Sequence, residues 1–212
     1  MESSKLASYV ASRICHDIAS PLTPLMQSLE LLFDDSMPAM KVEGEKALRM
    51  AVATLDAKLK FLRFAIGSQQ LNDEQANVNE ARVLFERLFD TYSKIRLEWT
   101  METHRISNRQ LRVLMNMTLM MIEPAAHGVC RVTARQEGEE LVLDVEALGR
   151  FANLKPEVLE ALGGAEPTGG WGGGAIQPYF TRVLAEEIGM KLVARTPQGA
   201  AGLEARGAVV VP

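Results

Sequence analysis

The chain has 212 residues, 47% of them apolar, and a formal net charge of −4. That length can bury a substantial core, in one large domain or two small ones, and the acidic balance argues against a general nucleic-acid binder, which needs a basic excess. Cys15 and Cys130 form no CxxC pair, so they build no zinc or dithiol motif alone. The polar start MESSKLASYVAS and the lack of any run of 18 apolar residues give neither a signal peptide nor a membrane span. The expectation is a soluble, cytoplasmic protein with no nucleic-acid or membrane partner.

Leu6, Val10, Ile14, Ile18, Leu22, Leu25, Leu29 and Leu32 recur at intervals of four and three, the spacing of one helix face. The stripe runs unbroken through Pro21 and Pro24, although proline inside a helix removes a hydrogen bond and costs about 3 kcal/mol. A bent but continuous helix is predicted. Residues 34–41 read as a connection. Leu48, Ala51, Leu55, Leu59, Leu62 and Ile66 give a second stripe over residues 42–66. The pair makes an antiparallel hairpin. Two helices bury little, so pairing with a second copy into a four-helix bundle, a homodimer, is expected.

Residues 67–79, GSQQLNDEQANVN, read as a polar linker. Residues 80–92 read as helix, 95–101 as an alternating strand and 108–122 as a buried apolar helix. VCRVTARQ and ELVLDVEAL form a β-hairpin around EGE. A short helix near 155–162 precedes the glycine-rich GGAEPTGGWGGGA. A helix over 177–189 and the strands KLVART and ARGAVVV close the chain. The predicted class is α+β, with a helical hairpin over residues 1–68 and an α/β sandwich over residues 76–212.

His16 lies two positions from both Ile14 and Ile18, so it points away from the apolar stripe. Ser12, Arg13, Ser20, Thr23 and Gln27 share that face; all are polar and most are small. A surface histidine alone requires no function. An exposed imidazole nevertheless keeps a neutral, nucleophilic nitrogen near neutral pH, and the adjacent Asp17 can orient the ring through its other nitrogen.

HDIASP resembles the H-box of histidine-kinase dimerisation domains, which reads His, acidic residue, three residues, Pro. RICHDIASPLTPLMQSLELL is similar to the opening helix of the ChpT-type histidine phosphotransferases. The resemblance implies that His16 accepts the phosphoryl group with Asp17 as its acidic helper, and that the proline bends the helix just after it. It implies a receiver-docking strip of Ser12, Arg13, Ser20, Pro21, Thr23, Pro24 and Gln27. The partners would be the receiver domain of a hybrid histidine kinase and that of a response regulator, with Mg²⁺ supplied by the receiver and no cofactor bound by this chain.

The second half resembles the histidine-kinase ATP-binding fold with altered motifs. In the N-box-like helix Asn116 fits the first asparagine, while the second falls on Met120, whose thioether does not replace an amide oxygen on Mg²⁺. In ELVLDVEALGR, Gly149 fits the glycine of the Asp-x-Gly box, but the adenine-binding position falls on Ala147. Asp144 is an alternative without the glycine two residues on. GGWGGGAIQPYF resembles the last glycine box, read as a structural remnant. The combination implies phosphoryl transfer without ATP binding. Two rivals are a non-catalytic kinase-like protein that binds and regulates receivers or kinases, and an autokinase with a divergent pocket. His104 and His127 read as loop positions, Cys15 lacks a setting that marks a reactive thiol, and Met115, Met117, Met120 and Met121 read as core.

Overall fold

The computed structural model describes residues 1–67, 71–172 and 174–210. Helix α1 spans Ser3–Phe33 and α2 spans Lys41–Ala65, with a 3-10 turn at Pro38–Met40 between them. As the apolar stripe requires, α1 passes through both prolines without interruption. Neither proline has an N–H for the carbonyl four residues back, so the Asp17 and Ser20 carbonyls lack that donor. The helices pack through small residues. A Cβ on Gly44 of α2 would stand 3.2 Å from Leu31 Cβ and 3.4 Å from the Ser28 carbonyl oxygen, which is why a glycine sits there. The buried Ser28 hydroxyl donates to the Pro24 carbonyl at 2.6 Å.

Helix α3, Val78–Asp90, starts on Asn77, whose side chain accepts from the Glu80 amide. Strand β1 is Arg96–Met101. Helix α4, Asn108–Met121, opens with a reciprocal capping box between Ser107 and Gln110. Strands β2, Val129–Glu137, and β3, Glu140–Leu148, make the hairpin expected around EGE. Helices α5, Pro156–Leu162, and α6, Ile176–Glu187, precede β4, Lys191–Arg195, and β5, Ala200–Ala208. The strand order is β1-β2-β3-β5-β4, with β1 parallel to β2 and the remaining pairs antiparallel.

The inner face of the sheet carries small buried residues, Cys130, Ala134, Ala147, Ala201 and Ala205. They leave room for α4, whose Leu111, Leu114 and Met115 are fully buried. Phe61 of α2 meets Phe85 of α3 edge-on at 5.1 Å, and Phe85 meets Trp99 of β1 at 4.7 Å. This aromatic run ties the hairpin to the sheet layer. The outer face is ionic. Arg131 bonds both Glu98 and Glu146, Arg195 pairs with Asp144, and Arg206 bonds Glu204 and Glu137.

Two expectations shift. The last strand, expected over ARGAVVV, covers Ala200–Ala208 instead. Its alanine- and glycine-rich start carries no β-branched signal, but it pairs in register with the whole of β3. The second half of the expected linker is tied down: the Ala76 amide bonds the Ile106 carbonyl at 2.8 Å, the Asn108 amide bonds the Glu74 carbonyl at 2.9 Å, and Val78 already belongs to α3. Ser68, Gln69 and Gln70 of that linker lie outside the described residues.

Candidate functional site

The polar face of α1 stands open. The His16 side chain is 80% exposed, against 22% for Asp17. His16 Nδ1 lies 3.4 Å from Asp17 Oδ1, a long contact on the hydrogen-bond scale. Asp17 Oδ2 accepts a 2.9 Å bond from Arg13 Nε, one helical turn back. With the ring proton on Nδ1, the Nε2 lone pair faces solvent, where an incoming electrophile can reach it. Ser12, Ser20, Thr23, Pro24 and Gln27 are exposed, as the periodicity demands. Arg13 is half-buried and engaged with Asp17. Pro21 is a correction: it is buried, on the side of α1 opposite the exposed face, so its side chain is not offered to a partner.

Behind Asp17 lies an open cavity of about 710 Å³ between the hairpin and the sheet layer. Arg13 and Asp17 line it from α1, Phe61 from α2, Tyr92 from the turn after α3, Met120 from α4, and Gly170 from the glycine-rich segment. Burial pushes the Tyr92 phenol above its ordinary range, and the negative charge of Asp17 adds to that effect.

The kinase-like motifs have other partners. Asn116 is fully buried. Its Nδ2 donates to the carbonyls of Ala65, at 2.7 Å, and Arg112, at 2.8 Å, and its Oδ1 accepts from Gln177 Nε2 at 2.7 Å. Arg112 donates to the Ala65 and Ile66 carbonyls at 3.2 and 2.9 Å. These two residues of α4 therefore cap the C-terminus of α2, where carbonyls lack intrahelical donors and positive charge is favoured. Ala147 sits in the closed core between Cys130 and Ala201. Asp144 points from the other sheet face, where it pairs with Arg195, and it does not line the cavity. Burial raises its carboxyl against the opposing pull of Arg195, and its Oδ1 has no hydrogen-bond partner. In the glycine-rich segment, Trp171 is buried edge-on against Tyr179 of α6 at 4.6 Å, with Leu6, Tyr9 and Val10 of α1 packed on the same cluster. Gly173 lies outside the described residues.

His104 and His127 are exposed and do not line the cavity, His127 in a left-handed turn with φ of 63°. Cys15 is exposed, and Cys130 is buried in the core. Met115, Met117 and Met121 are fully buried core residues. Sequence reasoning missed Arg112, Gln177 and Tyr92. A charge inside the apolar run LRVLMNM was a usable sign for Arg112, since a buried guanidinium must find acceptors; nothing local marks the other two.

A helical hairpin that presents a histidine, joined to a five-stranded mixed sheet backed by helices, is the architecture of the histidine kinases. Across 92% of this chain and 98% of the other, it superposes on the Acinetobacter baumannii histidine kinase AdeS with a TM-score of 0.51 at 16% identity. The profile of the family described as "Histidine phosphotransferase C-terminal domain" matches residues 78–200. The protein phosphotransferase ChpT of Brucella abortus is 30% identical over 196 residues, 88% of each chain. A solved bacterial phosphotransferase is 25% identical, with 97% of each chain covered and a TM-score of 0.83. The chain belongs to the histidine phosphotransferase family. Among the described residues, no helix is long and apolar enough to cross a membrane.

Proposed function

We propose that this protein relays a phosphoryl group through His16, from the aspartyl phosphate of a hybrid-kinase receiver to the aspartate of a response-regulator receiver. The observation that carries the reading is the geometry at His16: an exposed ring whose Nδ1 faces Asp17 while Nε2 faces outward. In the first transfer Nε2 attacks phosphorus, the P–O bond to the donor aspartate breaks, and the electron pair leaves with that carboxylate. The Nδ1 proton stays on the ring, and Asp17 offsets the positive charge that develops there. The second transfer is the reverse, onto another carboxylate. Mg²⁺ arrives with the receiver, and positioning supplies most of the acceleration.

Phosphate comes from a partner rather than from ATP. Supporting this, Asn116 has its amide groups engaged by protein, Met120 occupies the second N-box position, and Ala147 offers no carboxylate. Ser12, Ser20, Thr23, Pro24 and Gln27 form the receiver-docking strip around His16. The chain works as a homodimer. Leu22, Met26, Leu29 and Phe33 recur at helical spacing on α1, with Met26 57% and Phe33 80% exposed, and Val52 and Leu59 of α2 are also exposed. A second copy of the hairpin covers this stripe in a four-helix bundle.

The test is a transfer assay with a phosphorylated receiver and Mg²⁺, following acid-labile label on wild type and His16→Ala. Label on wild type alone supports the relay. Measurable binding without label, across several receivers, points to a kinase-like binding protein instead.

A further inference from the structure

Arg13 shares the face of His16, where a receiver would meet it, yet it is turned inward. Its Nε donates to Asp17 Oδ2 at 2.9 Å, while Asp17 Oδ1 lies 3.4 Å from His16 Nδ1. The two carboxylate oxygens are thus divided between two cationic or potentially cationic neighbours. An unsupported aspartate on an exposed helix face samples several rotamers. The bond from Arg13 selects the one that brings Oδ1 to the ring. Arg13 side-chain exposure is 29%, so much of its stem is packed and the guanidinium is held at the rim of the cavity behind the site. Tyr92 of the sheet layer and Lys58 of α2 line that cavity with it, as do Glu123, Lys155, Glu157 and Glu160.

We infer that Arg13 is a positioning residue for phosphoryl transfer: it fixes Asp17 so that the carboxylate holds the His16 proton on Nδ1 and leaves Nε2 as the nucleophile. This rests on the reading of His16 as the phosphoryl acceptor, and it moves Arg13 from the docking surface to the reaction itself. The step is the same for any donor. Nε2 forms the new N–P bond, the donor's bond to phosphorus breaks with its electron pair, and the Nδ1 proton remains between the ring and Asp17. With phosphoramidate the leaving group is ammonia.

Phosphoramidate is therefore the discriminating probe, because it needs no docking surface. The experiment compares the full-length wild type, Arg13→Gln and Arg13→Lys, each labelled once by phosphoramidate and once by a phosphorylated receiver. The ¹⁵N spectrum of the His16 ring reports the tautomer in each, and circular dichroism checks the helices. The expected result is labelling slowed about tenfold in Arg13→Gln with both donors, a ring spectrum shifted away from the Nδ1–H form, and recovery of most of the rate in Arg13→Lys. Slowing with the receiver alone makes Arg13 a docking residue and overturns the inference. So does an unchanged rate with both donors. A wild type that takes label from neither donor sinks the relay itself, and the inference with it; the wild-type lanes separate that failure from the others.

Discussion

Asn116 Oδ1 accepts a 2.7 Å hydrogen bond from Gln177 Nε2, which joins α4 to α6 at the same residue whose Nδ2 caps α2 through the Ala65 carbonyl. A buried amide with three good partners is a structural staple. It joins three helices, α2, α4 and α6.

Replacing Asn116 with alanine removes one of two donors from the Ala65 carbonyl, which keeps Arg112, and takes from the buried Gln177 amide its shorter bond, leaving the long one to Thr181. Losing these bonds costs about 1–2 kcal/mol. For a chain of this size that lowers Tm by roughly 2–8 °C. Scanning calorimetry with and without Mg²⁺ and ATP checks it. The loss is expected to be the same in both buffers, and an unchanged Tm would show that the staple carries no stability.

Met120→Asn rebuilds the spacing of the N-box on paper. It is expected to give no saturable Mg²⁺–ATP binding by titration calorimetry. Asn116 remains committed to its three bonds, and Ala147, where the resemblance to the kinase fold would put an adenine-binding acid, is closed in the sheet core. Saturable binding by this single variant would mean that the interior reorganises far more readily than its packing implies.

Ser20 and Thr23 are small and exposed beside His16. Ser20→Glu and Thr23→Arg each place a bulky charge on the face proposed to meet a receiver. Transfer from a phosphorylated receiver is expected to slow by about tenfold or more, while Tm moves by no more than about 2 °C, because exposed substitutions change stability by roughly 0.5 kcal/mol or less. Full-rate transfer in both variants would remove these positions from the contact surface.

Much of this molecule is legible in its sequence. Periods of four and three carried α1 through two prolines, because a stripe of eight apolar residues outweighs two missing hydrogen bonds. The same arithmetic placed His16 outward, and the structure leaves it 80% exposed. Pro21 escaped that arithmetic. Its place in HDIASP puts it in the docking strip, whereas its angular position is that of Val10 and Ile14 on the buried side. The start of β5 was illegible for another reason: Ala200, Ala201 and Gly202 have little strand preference of their own, and only pairing with β3 makes them a strand. The partners of Asn116 were also beyond reach, since Ala65 and Gln177 lie 51 and 61 residues away.

Cys130 gives a prediction with a definite sign. It is fully buried between β1 and β3, and burial pushes its thiol from an ordinary 9.0 up to about 12. Below pH 9 both the folded and unfolded thiols keep their proton, and the group has no effect on the balance. Between pH 9 and about 12 the unfolded chain releases its proton while the folded chain holds it. The unfolded state then binds fewer protons, so stability falls as pH rises, by about 1.4 kcal/mol per pH unit from this group alone. Urea midpoints measured at pH 8, 9, 10 and 11 in a Cys15→Ala background check it. The background is expected to lose stability more steeply above pH 9 than the Cys15→Ala, Cys130→Ala double variant, and the two curves are expected to run parallel below it. Parallel curves over the whole range would mean that Cys130 ionises as freely in the folded chain as in the unfolded one, which its place in the core does not permit.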